Sequence, residues 1–130
     1  MIELFDVLTY DYDIVENIDI TTTDPDWTEV LNLVTPNREA GLYKINFGLQ
    51  FSLNSTSQSF LYRFSTDGGT NWGPIYSKEV KDRSNIEVIE VEKLQTLASA
   101  DAFNILVEVT REGSADCEVL EAFISVQRVG

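Results

Sequence analysis

The sequence contains no histidine, and this absence narrows the chemistry that the protein can perform. Histidine is the commonest general base, a usual metal ligand and the partner residue in Ser-His and Cys-His nucleophile pairs. A pair of carboxylates could still hydrolyse a glycosidic bond, but the two acids must face each other across a cleft, and the sequence singles out no such pair. We therefore expect no enzymatic activity, no catalytic residue and no cofactor.

Cysteine, proline and glycine are also scarce. Cys117 is the single cysteine, so the chain cannot form an internal disulfide, and the apolar residues around it favour a buried thiol. Three prolines and seven glycines are too few for a long flexible linker. No apolar run reaches the length of a membrane helix, and residues 1–13 lack the basic start of a secretion signal. We expect a single domain, residues 1–130, that is made in the cytoplasm and contacts no membrane.

Basic residues are outnumbered, because nine Lys and Arg stand against 22 Asp and Glu and the net charge is −13. Residues 1–40 contain ten acids and one base, whereas residues 41–85 contain three acids and five bases. So acidic a chain lacks the cationic patch that binds phosphate backbones, and we expect no nucleic-acid partner. Two interpretations of the acidity stay open: it keeps the protein soluble, or it matches a more basic partner surface.

The strongest pattern that is present is an apolar period of two in the segment GLYKINFGLQFSL. Polar or small residues separate six apolar ones, which are Tyr43, Ile45, Phe47, Leu49, Phe51 and Leu53. Alternation of this kind places one face of a strand in a core and the other largely in water. The segment is therefore predicted to be a long, half-buried strand.

Similar runs, rich in β-branched and aromatic residues, recur at short intervals with turn-forming residues between them. The predicted strands are residues 2–8, 14–22, 28–34, 43–53, 60–65, 75–80, 86–91, 103–110 and 119–129. About nine strands without an internal repeat predict an all-β fold, a two-sheet antiparallel β-sandwich that is jelly-roll-like. Adjacent apolar residues at Val88 and Ile89 predict a bulge, and residues 92–100 are the helical candidate.

Two further patterns offer weak binding hypotheses. Asp11 with Asp13, and Asp24 with Asp26, present paired carboxylates, but calcium requires six to eight oxygen ligands, so we predict no metal site. Several aromatic residues could form a sugar-stacking platform, although packing in a core or an interface is the more frequent role of such residues. The aromatic candidates are Tyr10, Tyr12, Trp27, Tyr62, Trp72 and Tyr76.

The segment FSTDGGTNWG matches the pattern S-x-D-x-G-x-x-W through Ser65, Asp67, Gly69 and Trp72. This pattern resembles the Asp-box hairpin of sialidase propellers, where the hairpin stabilises the fold away from the catalytic centre. We expect Asp67 to accept backbone N–H bonds, Gly68 and Gly69 to adopt positive φ, and Trp72 to fold back over the hairpin. The single copy predicts a structural turn rather than a sialidase.

Taken together, residues 39–130 resemble small jelly-roll proteins of tailed bacteriophage virions. The similarity lies in a Gly-Leu-Tyr that opens a long aromatic strand, Gly41 to Tyr43, and in the final segment ISVQRVG. The resemblance implies a non-enzymatic capsid decoration (cement) protein, made in the bacterial cytoplasm and located in the virion. It also implies a homo-oligomer, with a trimer favoured, whose partner is the major capsid protein or another virion protein.

The acidic region of residues 1–40 is the part least similar to that family. We predict that its first strand contacts the partner through apolar residues flanked by acids, namely Ile2, Leu4, Phe5 and Val7. Two alternatives stay open at this point. The chain could be a tail, baseplate or fibre-attachment component, or it could be a carbohydrate-binding β-sandwich module.

Overall fold

The computed structural model describes residues 10–20, 27–53, 58–80, 86–111 and 117–130. These residues form eight strands. The strands are β1 (Tyr10–Ile20), β2 (Thr28–Val34), β3 (Gly41–Leu53), β4 (Gln58–Ser65), β5 (Tyr76–Val80), β6 (Glu87–Leu97), β7 (Asn104–Arg111) and β8 (Cys117–Arg128). The described residues contain no helix long and apolar enough to cross a membrane.

The strands pair as one long antiparallel ribbon that is rolled up. β1 pairs with β8, β2 with β7, β3 with β6 and β4 with β5, so the connection between β4 and β5 is the tip of the ribbon. Rolling brings β3 against β8 and β4 against β7. Two four-stranded sheets result, in the orders β1-β8-β3-β6 (sheet 1) and β2-β7-β4-β5 (sheet 2). This is the topology of an eight-stranded jelly roll, and the predicted all-β antiparallel sandwich is confirmed.

The core lies between the sheets and is joined by aromatic rings. Phe51 of β3 stacks on Phe60 of β4 with ring centres 3.9 Å apart, and Phe47 meets Phe64 edge-on at 5.2 Å. All four rings are almost completely buried. Because each pair connects one sheet to the other, burial of these rings fixes both the spacing and the register of the two layers.

Two of the predicted features differ from the structure around β6. The strand does not end near residue 91 but continues to Leu97 through the segment that was the helical candidate, paired with β3 along its whole length. The predicted bulge at Val88 and Ile89 is wrong as well, because the register to β3 is unbroken there. Ile89 is buried and Val88 lies on the solvent side, 56% exposed. The two apolar neighbours therefore occupy opposite faces of a regular strand.

Register shifts occur at two other places. One lies between Glu29 and Leu31 of β2, in the pairing with β7, and the other lies between Gln50 and Phe51 of β3, in the pairing with β8. In β2 the shift leaves Val30 as an extra residue, and both Val30 and Leu31 are buried. A bulge lets two successive side chains enter the core. The predicted strand at residues 2–8 lies outside the described residues, so the eight strands are those of the described part of the chain.

One glycine in the middle of β3 is required by its cross-strand neighbour. Gly48 faces Phe123 of β8 on the outer side of sheet 1, and a Cβ atom added to Gly48 would overlap the Phe123 ring. The ring therefore lies against the bare backbone of β3. Glycine at this position of the strand serves the packing of an aromatic side chain outside the core.

Candidate functional site

The connection between β4 and β5 begins with the 65–72 turn, which is closed by a network of hydrogen bonds centred on Ser65 and Asp67. The Ser65 hydroxyl donates to Asp67 Oδ1 at 2.7 Å and accepts the backbone N–H of Gly69 at 2.9 Å. Asp67 Oδ1 also accepts the Asn71 backbone N–H at 2.9 Å, and Oδ2 accepts Asn71 Nδ2 at 2.8 Å. The Ser65 and Asp67 side chains thus accept hydrogen bonds from backbone N–H groups that the tight turn would otherwise leave without a partner.

The electrostatics of this turn follow from the same bonds. The pKa of the Asp67 carboxyl is lowered to about 2 by the backbone N–H of Asn71, the Ser65 hydroxyl and the Asn71 side chain, in that order of importance. Donors directed at a carboxylate favour its charged form. Asp67 is exposed, yet it is ionised throughout the physiological range and serves as an acceptor that organises the loop.

Both glycines of the turn adopt positive φ, with Gly68 at 73° and Gly69 at 92°. The Gly68 N–H donates to the Asn104 carbonyl at 2.9 Å, and this bond attaches the turn to the start of β7. A Cβ atom on Gly68 would lie 2.6 Å from Asn104 Nδ2. Backbone conformation and close approach together therefore require glycine at position 68.

Trp72 at the end of the turn contributes to a second cluster, on the outer face of sheet 2. The Arg63 guanidinium lies between two indole rings, 4.1 Å from the centre of Trp72 and 4.4 Å from that of Trp27. Its Nη2 and Nε atoms both donate to Glu108 Oε1, at 2.7 and 3.1 Å. Arg63 and Glu108 are direct cross-strand partners between β4 and β7. The planar guanidinium can stack and form ion-pair bonds at the same time, which an ammonium group cannot do.

The contacts of the described aromatic residues bear on the hypothesis that these residues form a sugar-stacking platform. Trp27 and Trp72 each have one ring face against Arg63. Tyr62 is buried, with its pKa raised by that burial and by the neighbouring Tyr76, on which it stacks at 5.2 Å. Each of these four rings therefore packs on at least one other side chain. The side chains of Tyr10 and Tyr12 lie outside the described residues.

A cleft of about 310 Å³ lies beside the turn, between the edge strands β5 and β6. The turn and the start of β5 line one wall with Trp72, Pro74 and Tyr76, and β6 lines the other with Val91 and Lys93. The Lys93 ammonium lies 5.6 Å from the centre of the Phe64 ring. The cleft thus combines apolar side chains with polar and charged ones, which include Asp67 and Asn71 as well as Lys93, at a place where both sheets have an edge.

The remaining predicted positions are the apolar residues near the start of the chain and the two pairs of aspartates. Ile2, Leu4, Phe5 and Val7 lie outside the described residues, as do Asp24 and Asp26. The backbone of Asp11 and Asp13 belongs to β1, opposite Val126 and Ile124 of β8. Within the described ranges, no three side chains of the types that bind metals come together.

The sequence interpretation missed the Arg63–Glu108 pair and the role of Trp27 beside it. A signal was available, because Arg63 stands between Tyr62 and Phe64 and Glu108 stands between Val107 and Val109. Each is a lone charge within an apolar strand, and the two are of opposite sign. Their pairing required knowing that β4 and β7 are neighbours, and local sequence does not contain that information.

Neither a protein-family model nor a curated protein sequence matches the chain. Solved structures do share its fold. A chain from the structure of infectious bursal disease virus, Gt strain, aligns with a TM-score of 0.62 and 7% identity over 95% of this chain. A chain of the VP2 subviral particle of the same virus aligns with a TM-score of 0.59 and 6% identity over 92%. The present chain spans only about a third of those viral chains, 34% and 33% of their lengths.

A TNF protein has a similar fold. The Eiger TNF structure from S. frugiperda aligns with a TM-score of 0.53 and 7% identity, over 95% of this chain and 93% of that one. At such low identities the similarity is one of fold. The aligned viral and TNF chains thus share the jelly-roll fold that strands β1 through β8 form here.

Proposed function

We propose that this chain is a non-enzymatic structural protein of a virion, and specifically a capsid decoration protein of a tailed bacteriophage. The observation that carries the proposal is the complete rolled ribbon, with β4–β5 at its tip and all four strand pairs nested. It is the fold found in the VP2 chains of infectious bursal disease virus, which assemble into a subviral particle. The resemblance of residues 39–130 to phage jelly-roll proteins supports the same assignment.

The candidate site supports a structural role over a catalytic one. The pKa of the Asp67 carboxyl is lowered to about 2, and each of its hydrogen bonds closes the loop that contains it. The lowered pKa makes this carboxylate a weak base, whereas a general base works best with a pKa near the operating pH. Arg63 likewise binds Glu108 and lies against two indole rings. These charged groups stabilise the rolled ribbon.

The proposed mechanism is stabilisation of the capsid by mass action. A protein that binds only the assembled lattice shifts the equilibrium toward the lattice. We further propose that it acts as a homotrimer, since several weak contacts from one oligomer would add as avidity. The apolar residues Ile2, Leu4, Phe5 and Val7 are proposed to contact the major capsid protein or another virion protein.

Co-sedimentation with capsids that were assembled without this chain tests the proposal. We expect the full chain to pellet with assembled capsids and to remain in the supernatant with unassembled capsid subunits. A chain lacking residues 1–9, which keeps all of β1, should remain folded by circular dichroism and lose most capsid binding. Undiminished binding of the truncated chain would refute the anchoring role of its first residues. Equal binding to free subunits would refute the stabilising mechanism.

A further inference from the structure

Strand β6 forms an edge of sheet 1. Its eleven residues pair with β3 on one side, and no described residue pairs with the other side. In an antiparallel edge strand, alternate N–H and C=O groups point away from the sheet. Such an edge is a template for one more strand, which natural proteins either block or use.

The outer row of β6 combines apolar and acidic side chains. Val88 and Leu94 are 56% and 57% exposed, and Glu90 and Glu92 between them are also exposed. All four stand on the same face, because side chains two residues apart share a face of a strand. The row therefore offers two carboxylates flanked by an apolar residue on each side.

This charge pattern disfavours a second copy of the chain as the added strand. Two copies of β6 that pair antiparallel about Val91 would place Val88 opposite Leu94, an attractive apolar pair. The same register places Glu90 opposite Glu92, and symmetry repeats that contact. Like charges directly opposite each other in a sheet are destabilising, and the net charge of −13 adds further repulsion. The glutamates thus protect this edge against self-pairing.

The opposite face of an added strand would meet the cleft of about 310 Å³ described above. A strand paired with the free edge of β6 directs alternate side chains to the outer row and to the cleft, since its side chains alternate like those of any strand. Within its lining, Trp72, Pro74, Tyr76 and Val91 suit apolar side chains, whereas Asp67 and Lys93 add one charge of each sign. The outer row of β6 and the cleft thus favour different residue types at alternate positions of the partner strand.

We propose that the free edge of β6 binds an extended segment of a partner protein in which Lys or Arg alternates with apolar residues. The basic residues lie opposite Glu90 and Glu92, and the apolar residues enter the cleft. Backbone hydrogen bonds supply affinity and the alternating side chains supply selectivity, as in other cases of β-strand addition. The inference rests on this edge and cleft alone, so it is independent of the proposed virion location.

The test uses the full chain, labelled with ¹⁵N, and an eleven-residue synthetic peptide of alternating lysine and valine. We expect the peptide to shift the amide signals of β6 and to slow their hydrogen exchange. The double variant Glu90→Lys with Glu92→Lys should bind the peptide about ten-fold or more weakly. The matched control is Glu118→Lys with Glu121→Lys, which makes the same charge change at two exposed residues of β8 and should retain most of the binding.

Three outcomes would overturn the proposal. The first is binding that leaves the β6 amides unchanged, or no binding at millimolar peptide. The second is an equal loss in both double variants, which would indicate attraction to the overall charge only. The third is equal binding of a peptide in which glutamate replaces lysine. Unfolding of a variant is detected in the same spectra, so a lost fold cannot be mistaken for lost binding.

Discussion

The Arg63 guanidinium lies 4.1 Å from the ring centre of Trp72 and connects the 65–72 turn to the outer face of sheet 2. Arg63 belongs to β4, and Trp72 follows the turn that starts where β4 ends. The stacking therefore folds the connection back over its own strand. The ring of Trp27, just before β2, also lies against the guanidinium, with its centre 4.4 Å away. One side chain thus joins residues that precede β2 to residues that follow β4.

Arg63→Lys should destabilise the protein by about 1–2 kcal/mol, because lysine keeps the charge but loses both the stacking and the two-nitrogen bond to Glu108. Urea unfolding measures the change. The matched control is Arg128→Lys, since the bonds of Arg128 to Glu39, Ala40 and Gly130 all lie at exposed sites and the Glu39 side chain is 85% exposed. An exposed pair contributes less than about 1 kcal/mol, so the control should unfold close to wild type. Equal losses in the two variants would show that the stacked geometry has no special effect.

The second prediction concerns acid. The pKa of Asp67 is lowered from 3.8 to about 2 by donors that exist only in the folded turn. The unfolded chain therefore binds more protons between these values, and the contribution of Asp67 to stability is present above pH 4 and lost as pH falls toward 2. We expect Asp67→Asn to melt at a lower temperature than wild type at pH 7, with a difference that shrinks from pH 4 to pH 2.

The other carboxyl groups are present in both proteins, so their effects on the melting temperature cancel when wild type and variant are compared. Melting temperatures at closely spaced pH values give the difference directly. A difference between wild type and Asp67→Asn that is constant from pH 7 to pH 2 would contradict the role given to the Asp67 carboxylate.

The third prediction concerns the backbone of the turn. Gly68→Ala should cost about 1–2 kcal/mol of stability, because alanine is strained at positive φ and its Cβ would approach the Asn104 amide. Gly73→Ala is the control within the same loop. A Cβ there meets only the Phe64 carbonyl, at 3.4 Å, and Gly73 does not have a positive φ. Wild-type stability of Gly68→Ala would contradict the geometry of the turn.

The fourth prediction tests why β6 does not pair with a second copy of itself. Glu90→Lys replaces the repulsive Glu90–Glu92 contact of that register with an attractive one, while Val88 remains opposite Leu94. We expect this single substitution to produce a concentration-dependent doubling of the oligomer size seen for wild type, measured by light scattering after gel filtration. Glu121→Lys, an equal charge change on β8, should leave the size unchanged. Equal sizes of the Glu90→Lys variant and wild type would indicate that the edge is protected in some other way.

The sequence predicts most of this fold because alternation is a local signal. β3 shows it clearly, because the alternating apolar residues from Tyr43 to Phe51 are all buried in the core. β6 was harder because it is an edge strand. In its second half, Lys93 and Leu94 are both exposed, so no clean alternation of buried and exposed residues marks the strand. Helix-forming residues such as Glu92 and Lys93 then suggest a helix, and only pairing with β3 makes the segment a strand.

The 65–72 turn was likewise predictable from local sequence, whereas the Arg63 cluster was not. Apart from the contacts of Gly68 with Asn104, the hydrogen bonds of the turn join residues at most six positions apart, so a short motif was enough to suggest its geometry. The pairing of Arg63 with Glu108 spans 45 positions in the chain. It exists because rolling the ribbon brings β4 beside β7. No local pattern encodes that neighbour relation, although two lone charges in apolar strands hint at a partner for each.

We propose that this chain is a structural component of the virion head. Negative-stain imaging of purified virions, labelled with gold-conjugated antibody against the chain, tests it most directly. We predict gold particles distributed over the head surface and absent from the tail. Label confined to the tail or baseplate would contradict the decoration role, and the absence of label from intact virions would contradict the structural assignment itself.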